Sequence, residues 1–179
     1  MDYGNQFTKD TLRNLLDQTP DIQANAHVRA AIISLLTQKN IQAIPYTYNA
    51  VYWVTGAANS LAAGATNVPV NVNIQADADF LILNQTYDAN TANAARNNST
   101  FVVPNVLVSL QDTGSGYMMM DQQTSVPNIF GNGQFPYVLP NPKLMPAKST
   151  LTVLATNVDA AAGYNLRLSF NGVKLYSYN

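Results

Sequence analysis

The sequence predicts a mainly β protein: a β-sandwich or jelly-roll-like barrel of about eight strands, preceded by a short two-helix N-terminal arm. Three observations lead there. The apolar residues recur every three or four positions up to about residue 43, and every second position from Ile44 onward. The later part consists of short runs rich in Val, Ile, Thr, Tyr and Phe, separated by Gly, Pro, Asn and Asp. At 179 residues the chain can bury about 70% of its unfolded surface, so it can hold two packed layers without the disulfides that its lack of cysteine rules out. Residues 1–43 are therefore read as a helical arm and residues 44–179 as one sandwich domain.

In the arm, Leu12, Leu15 and Leu16 follow the spacing of one helix face, with Thr8 or Asp10 as N-cap and Pro20 as the stop. A second helix fits residues 25–38, with Val28, Ile32, Leu35 and Leu36 on one side and Ala30 and Ile33 widening the stripe. Residues 47–54 form the first expected strand. Residues 67–74 alternate without a fault and place Asn67, Asn71 and Asn73 with Pro69 on one face; the missing donor of Pro69 argues for a sheet edge. Residues 79–86 are apolar on both faces at Phe80, Leu81, Ile82 and Leu83, as suits a buried strand. Residues 101–110 follow. A turn at 112–116 is expected to bring 117–120 back onto 106–110, and 149–155 supply another strand. The chain closes on a predicted β-hairpin: 164–170 alternate, Asn171-Gly172 is a strong two-residue turn signal, and 173–176 alternate again. A strand running straight through Asn171-Gly172 would instead place Lys174 on the side of Leu168 and Phe170.

Two connections are long. Residues 88–100 are small and polar. Residues 127–146 hold five of the nine prolines together with Phe130, Phe135 and Tyr137, which predicts an extended loop: either a cover over one end of the core or a preformed contact surface.

Composition narrows the function. Only 11% of residues are charged, all ten acidic residues are Asp, and between Lys39 and Lys143 the one basic residue is Arg96. Counterion release needs clustered Lys and Arg, so neither nucleic acid nor an anionic membrane is an expected partner. No apolar run approaches the ~20 residues of a membrane span, and the N-terminus lacks the basic-then-apolar order of a signal peptide; a cytoplasmically made protein is expected. The catalytic inventory is thin. His27 is the one histidine, near the start of an expected helix and far in sequence from any candidate nucleophile. Asp77 and Asp79 share a strand face and could offer oxygens to calcium, but the surrounding pattern fits a solvated strand start better. No enzyme activity, cofactor or metal is expected. The outward amides of Asn67, Asn71 and Asn73 are a different matter. Asparagine is disfavoured in strands, yet an amide face can be buried against a partner without burying charge. Drift toward Asn, which occurs 22 times, is the competing explanation. The candidate contact residues are Asn67, Asn71 and Asn73, with Phe130, Phe135 and Tyr137 from the proline-rich segment and Leu12, Leu15 and Leu16 from the arm.

Several pieces of residues 106–176 add a family likeness. They are the strand and turn from Leu107 to Gly116; Asn128-Ile129-Phe130-Gly131-Asn132-Gly133 with Phe135-Pro136; Ser149-Thr150-Leu151-Thr152-Val153; and the run from Tyr164 to Lys174. Together they resemble decoration, or cement, proteins of tailed-bacteriophage heads, over roughly the C-terminal two-fifths of the chain. The resemblance implies a virion protein, assembled in the host cytoplasm, that binds the major capsid protein and forms a homo-oligomer, dimer or trimer, bracing the shell. A carbohydrate-binding sandwich is the alternative, with Tyr46, Tyr48, Tyr52 and Trp53 as its aromatic platform.

Overall fold

In the computed structural model, residues 41–54, 59–91 and 102–177 are described. Both expected arm helices, His27, the 92–100 part of the small polar connection and the first residue of the strand expected over 101–110 lie outside them. Among the described residues there are nine strands and one short helix, in the order β1 (Ile41–Tyr52), β2 (Val68–Asn73), β3 (Asp79–Thr91), β4 (Val106–Asp112), β5 (Tyr117–Met118), β6 (Thr124–Ser125), α1 (Val126–Ile129), β7 (Tyr137–Met145), β8 (Thr150–Asn157) and β9 (Tyr164–Ser177). They form two antiparallel sheets. The first has the order β1-β9-β3-β7; the second has β2-β8-β4-β5, with β6 also on β4. Apart from the short β4-β5-β6 run, each strand is followed by one in the other sheet.

Alternation explains the shared core. In β8 the residues Leu151, Val153, Ala155 and Asn157 are buried and their neighbours only half-buried, so one face turns inward. β1 does the same with Tyr48, Ala50 and Tyr52. The two inner faces meet in a single cluster that includes Phe80, Ile82, Val108, Leu110, Phe130 and Phe170. Phe130 and Phe170 pack edge to face, with ring centroids 5.6 Å apart. The Tyr52 hydroxyl crosses between the sheets to donate to the Val153 carbonyl at 2.8 Å. Burial pushes the pKa of this hydroxyl far up, keeping it a neutral donor.

The predicted terminal hairpin is not formed. β9 runs straight through Asn171 and Gly172, pairing with β1 from Ile41↔Ser177 to Tyr52↔Leu166 in unbroken register. A type I′ turn needs positive φ at both central residues, and neither has it. Gly172 serves close approach instead. A Cβ there would collide with the Leu81 carbonyl of β3, and β3 bulges beside it, its register shifting between Ile82 and Asn84. The bulge reverses the parity of β3. Phe80 and Ile82 face the core before it, and Gln85, Tyr87 and Ala89 after it. Lys174 then lies on the core side with Leu168 and Phe170, 2% exposed.

The proline-rich segment departs from the sequence reading in the same physical way. Residues 137–145 are strand β7, at the edge of the first sheet and paired only with β3, where Pro140 and Pro142 break no central ladder. β1 begins at Ile41, so the sheet reaches into the segment assigned to the arm. β2 is an edge strand, as Pro69 suggested. β5 is confined to two residues on Gln111 and Asp112, and β6 takes the place expected for 119–120 against Leu107 and Val108.

Candidate contact surface

The second sheet presents an outer face built from alternate residues: Asn67, Pro69, Asn71 and Asn73 beside Thr156, Leu154, Thr152 and Thr150, then Leu107, Ser109 and Gln111. None of these side chains is charged. The asparagines are exposed, as read from the sequence, but their oxygens are already engaged. Thr152 donates to Asn71 Oδ1 at 2.8 Å, Thr150 donates to Asn73 Oδ1 at 3.0 Å, and Gln123 Nε2 donates to Asn67 Oδ1 at 2.9 Å. Hydroxyl and amide thus form cross-strand pairs, which offset the poor strand preference of Asn. Asn67 also takes a left-handed conformation, φ 51°, that Asn tolerates better than most residues.

The outer face of the first sheet holds a second amide ladder that the sequence reading missed. Thr47 donates to Asn171 Oδ1 at 2.9 Å, and Asn171 Nδ2 donates onward to Asn84 Oδ1 at 2.9 Å. Ser169 bonds Asn49 at 2.8 Å, and Asn165 bonds Asn90 at 3.0 Å. Only the β3 bulge brings Asn84 to this face, so alternation alone could not have found it. Where the ladder ends, a shallow depression of about 540 Å³ opens, lined by Pro45, Thr47, Leu83, Asn84, Asn171 and Val173 over the backbone of Gly172. Its walls are mainly apolar, with the amides of Asn84 and Asn171 and the Thr47 hydroxyl as the polar side-chain groups. Uncharged groups of this kind suit a partner's side chains better than an ionic ligand.

Phe130, expected at a contact surface, is fully buried against Phe170 and belongs to the core. Its neighbour Gly131 shows why the chain turns there: a Cβ would strike the Phe135 carbonyl and the Tyr137 amide nitrogen. Phe135 stands out at 70% exposure on the turn that follows. That turn is set by Asn132, whose Oδ1 accepts from the backbone N–H of Gln134 at 3.0 Å and of Phe135 at 2.6 Å. Tyr137 is half-buried at the start of β7. Leu12, Leu15 and Leu16 lie outside the described residues.

The aromatic platform of the carbohydrate reading is not assembled. Tyr48 and Tyr52 are buried on the core side, whereas Trp53 points to the other face. Tyr46 and Tyr48 instead flank Lys174, whose ammonium lies 4.3 Å from the Tyr46 ring centroid and 5.9 Å from that of Tyr48. The same ammonium bonds Gln75 Oε1 and both oxygens of Asp77, at 3.0 and 3.1 Å. Asp77 therefore serves as a counter-ion. The Lys174 hydrogen bond, with help from the Tyr176 hydroxyl, holds its pKa below the ordinary 3.8. Burial works to lower the Lys174 pKa, but the Asp77 hydrogen bond and nearby tyrosines outweigh it and raise the value. Asp79 accepts the Ala147 N–H at 2.8 Å. Among the described residues, no group of three or more His, Cys, Asp or Glu side chains could hold a metal.

No known protein family matches the chain, and no curated protein is similar to it. Among solved structures, the chain is similar to the VP2 subviral particle of infectious bursal disease virus, at 11% identity and a TM-score of 0.29 over 76% of this chain. It spans 32% of that VP2 chain. A likeness this slight carries no argument about function.

Proposed function

We propose that the protein is a structural component of a virion. In this reading it binds the capsid shell through the major capsid protein, or its own copies as a dimer or trimer, and so decorates and stabilises a phage head. The strand order is the observation that carries the reading. β1-β9-β3-β7 over β2-β8-β4-β5, with the chain alternating between the sheets, is the order of a jelly roll, an architecture shared by viral capsid domains and lectins. Two features favour the capsid side of that pair. The outer faces are rich in uncharged amides and hydroxyls, which can be buried against another protein without desolvating charge. The tyrosines a sugar-binding platform would use are spent in the core and around Lys174. The segment ahead of β1, expected from its sequence to be helical, belongs to the same proposal as a further attachment element.

Mass spectrometry of particles purified from cultures that express this chain is the direct test. Recovery of the chain in fixed proportion to the major capsid protein, resistant to washing, is the expected result. A chain abundant in the lysate but missing from particles overturns the proposal.

A further inference from the structure

Asn-Gly occurs twice in the chain, at Asn132-Gly133 and at Asn171-Gly172. The dipeptide carries a chemistry of its own. Glycine has no side chain to keep its backbone nitrogen away from the preceding carboxamide, whose nitrogen can leave as ammonia. The fold puts the two copies in opposite surroundings. Asn171-Gly172 lies within β9 and is paired on both sides: Asn171 with Thr47 and Asn84, Gly172 with Tyr46 and Ile82. The Asn171 carboxamide is held as well. Its Nδ2 donates to Asn84 Oδ1 at 2.9 Å and to Thr86 Oγ1 at 3.3 Å, and its Oδ1 accepts from Thr47. Attack on it by the Gly172 nitrogen would require β9 to leave both ladders.

Asn132-Gly133 lies in the turn between α1 and β7, and Gly133 is exposed. Among the described residues, nothing accepts from the Gly133 N–H. The Asn132 side chain folds over its own backbone, with Oδ1 accepting from the N–H groups of Gln134 and Phe135. Its Cγ therefore lies against the segment that contains the Gly133 nitrogen. We propose that Asn132 is a self-modification site, converted through a cyclic imide with Gly133 to aspartate and isoaspartate, while the fold shields Asn171.

The step needs only water. Hydroxide takes the Gly133 N–H proton, and the nitrogen lone pair attacks Asn132 Cγ to close the ring. The Cγ–Nδ2 bond breaks with its electron pair on nitrogen, which takes a proton from water and leaves as ammonia. Water then adds to one of the two ring carbonyls and breaks its bond to the ring nitrogen. Opening at Cγ leaves aspartate at position 132; opening at the backbone carbonyl leaves isoaspartate, with the chain running through the side chain. One asparagine and one water give one acid and one ammonia, with no change of oxidation state. The product places a negative charge on the turn that presents Phe135, which is 70% exposed, and isoaspartate also lengthens that turn by one carbon. The inference stands on the two Asn-Gly environments and does not depend on the virion reading.

The full-length protein would be aged in mildly alkaline buffer and its tryptic peptides mapped by fragmentation. A gain of about 1 Da is expected at Asn132, with both isomers separable by chromatography. Asn132 should react at least about 10-fold faster than Asn171, because β9 must first open. Equal rates in the folded protein would overturn the proposal, and so would an unmodified Asn132 or aspartate without isoaspartate. In denaturant the two sites should react at similar rates; a preference that persists there would show that the fold does not select the site. Gly133→Ala meets open space and should slow the reaction at Asn132 about 10-fold by crowding the attacking nitrogen. An unchanged rate in that variant would overturn the route through Gly133.

Discussion

The two outer faces of this protein follow different rules. On the second sheet, every other residue of β2, β4 and β8 faces out, and amides and hydroxyls are interspersed with Leu107, Leu154 and Pro69 along the whole face. On the first sheet the outer face changes character halfway, from the Thr47-Asn171-Asn84 ladder to the Ala43-Leu81-Val173-Leu175 cluster. β1 and β9 change along their own alternating residues, but in β3 the change comes from one residue. Leu83 is inserted into β3, and beyond it a strand that had pointed Phe80 and Ile82 inward points Gln85 and Tyr87 inward. A regular strand can be read from its alternation; a bulged one presents two patterns joined out of phase.

The sharpest way to break that contrast is at the crossing point. Gly172→Ala puts a methyl group into the Leu81 carbonyl, and destabilisation by about 3 kcal/mol is expected from forcing apart two central strands. Chemical denaturation read by circular dichroism would measure it, and a loss below about 1 kcal/mol would show that β3 and β9 can separate there freely. Next in size is Leu81→Ala. If the aliphatic half of the outer face is a true second core, the cost should be about 2–3 kcal/mol, as for other buried leucines; a surface-like value would refute that.

Acid titration probes both sheet ends together. Asp77 is held below the ordinary carboxylate pKa of 3.8 by Lys174. Asp159 is held low by the N–H groups of Ala161 and Ala162 and by the Tyr164 hydroxyl. A carboxylate with a lowered folded pKa stabilises the fold above its unfolded value, and that contribution is lost as pH falls through the folded one. The melting temperature should therefore fall below about pH 3.8, and fall less steeply in Asp77→Asn and Asp159→Asn, as a calorimetric pH series would show. The smallest expected effect is on the second sheet. Asn71→Ala removes one exposed hydrogen bond from Thr152 and should change stability by about 0.5 kcal/mol or less. Equilibrium denaturation would detect more than that if the amide ladder carries structural weight.

What was legible in the sequence follows from the same contrast. The residue-67 to residue-74 strand, its edge position and its outward asparagines appear as expected, because alternation and Pro69 are local signals. Asn171-Gly172 misled because the dipeptide that favours a tight turn also suits a flat crossing, where glycine lets a neighbouring backbone approach. Phe130 looked like a loop aromatic because α1 is a single turn that drops it into the core from between two proline-bearing runs. β7 was hidden by Pro140 and Pro142, which an edge strand tolerates and a central one does not.

By itself, the sequence determined the class of the molecule and the faces of its regular strands, since a two-residue period and turn residues act within a few positions of themselves. It also limited the chemistry, through its scarcity of charge and its lack of cysteine. Only the tertiary structure decided the path of the last strand, the side on which Lys174 is buried, and the partners of Asn84 and Asn171. Those depend on a bulge in β3, about ninety residues upstream of β9 in the chain. A register set by a distant strand leaves no mark on the local pattern that it overrides.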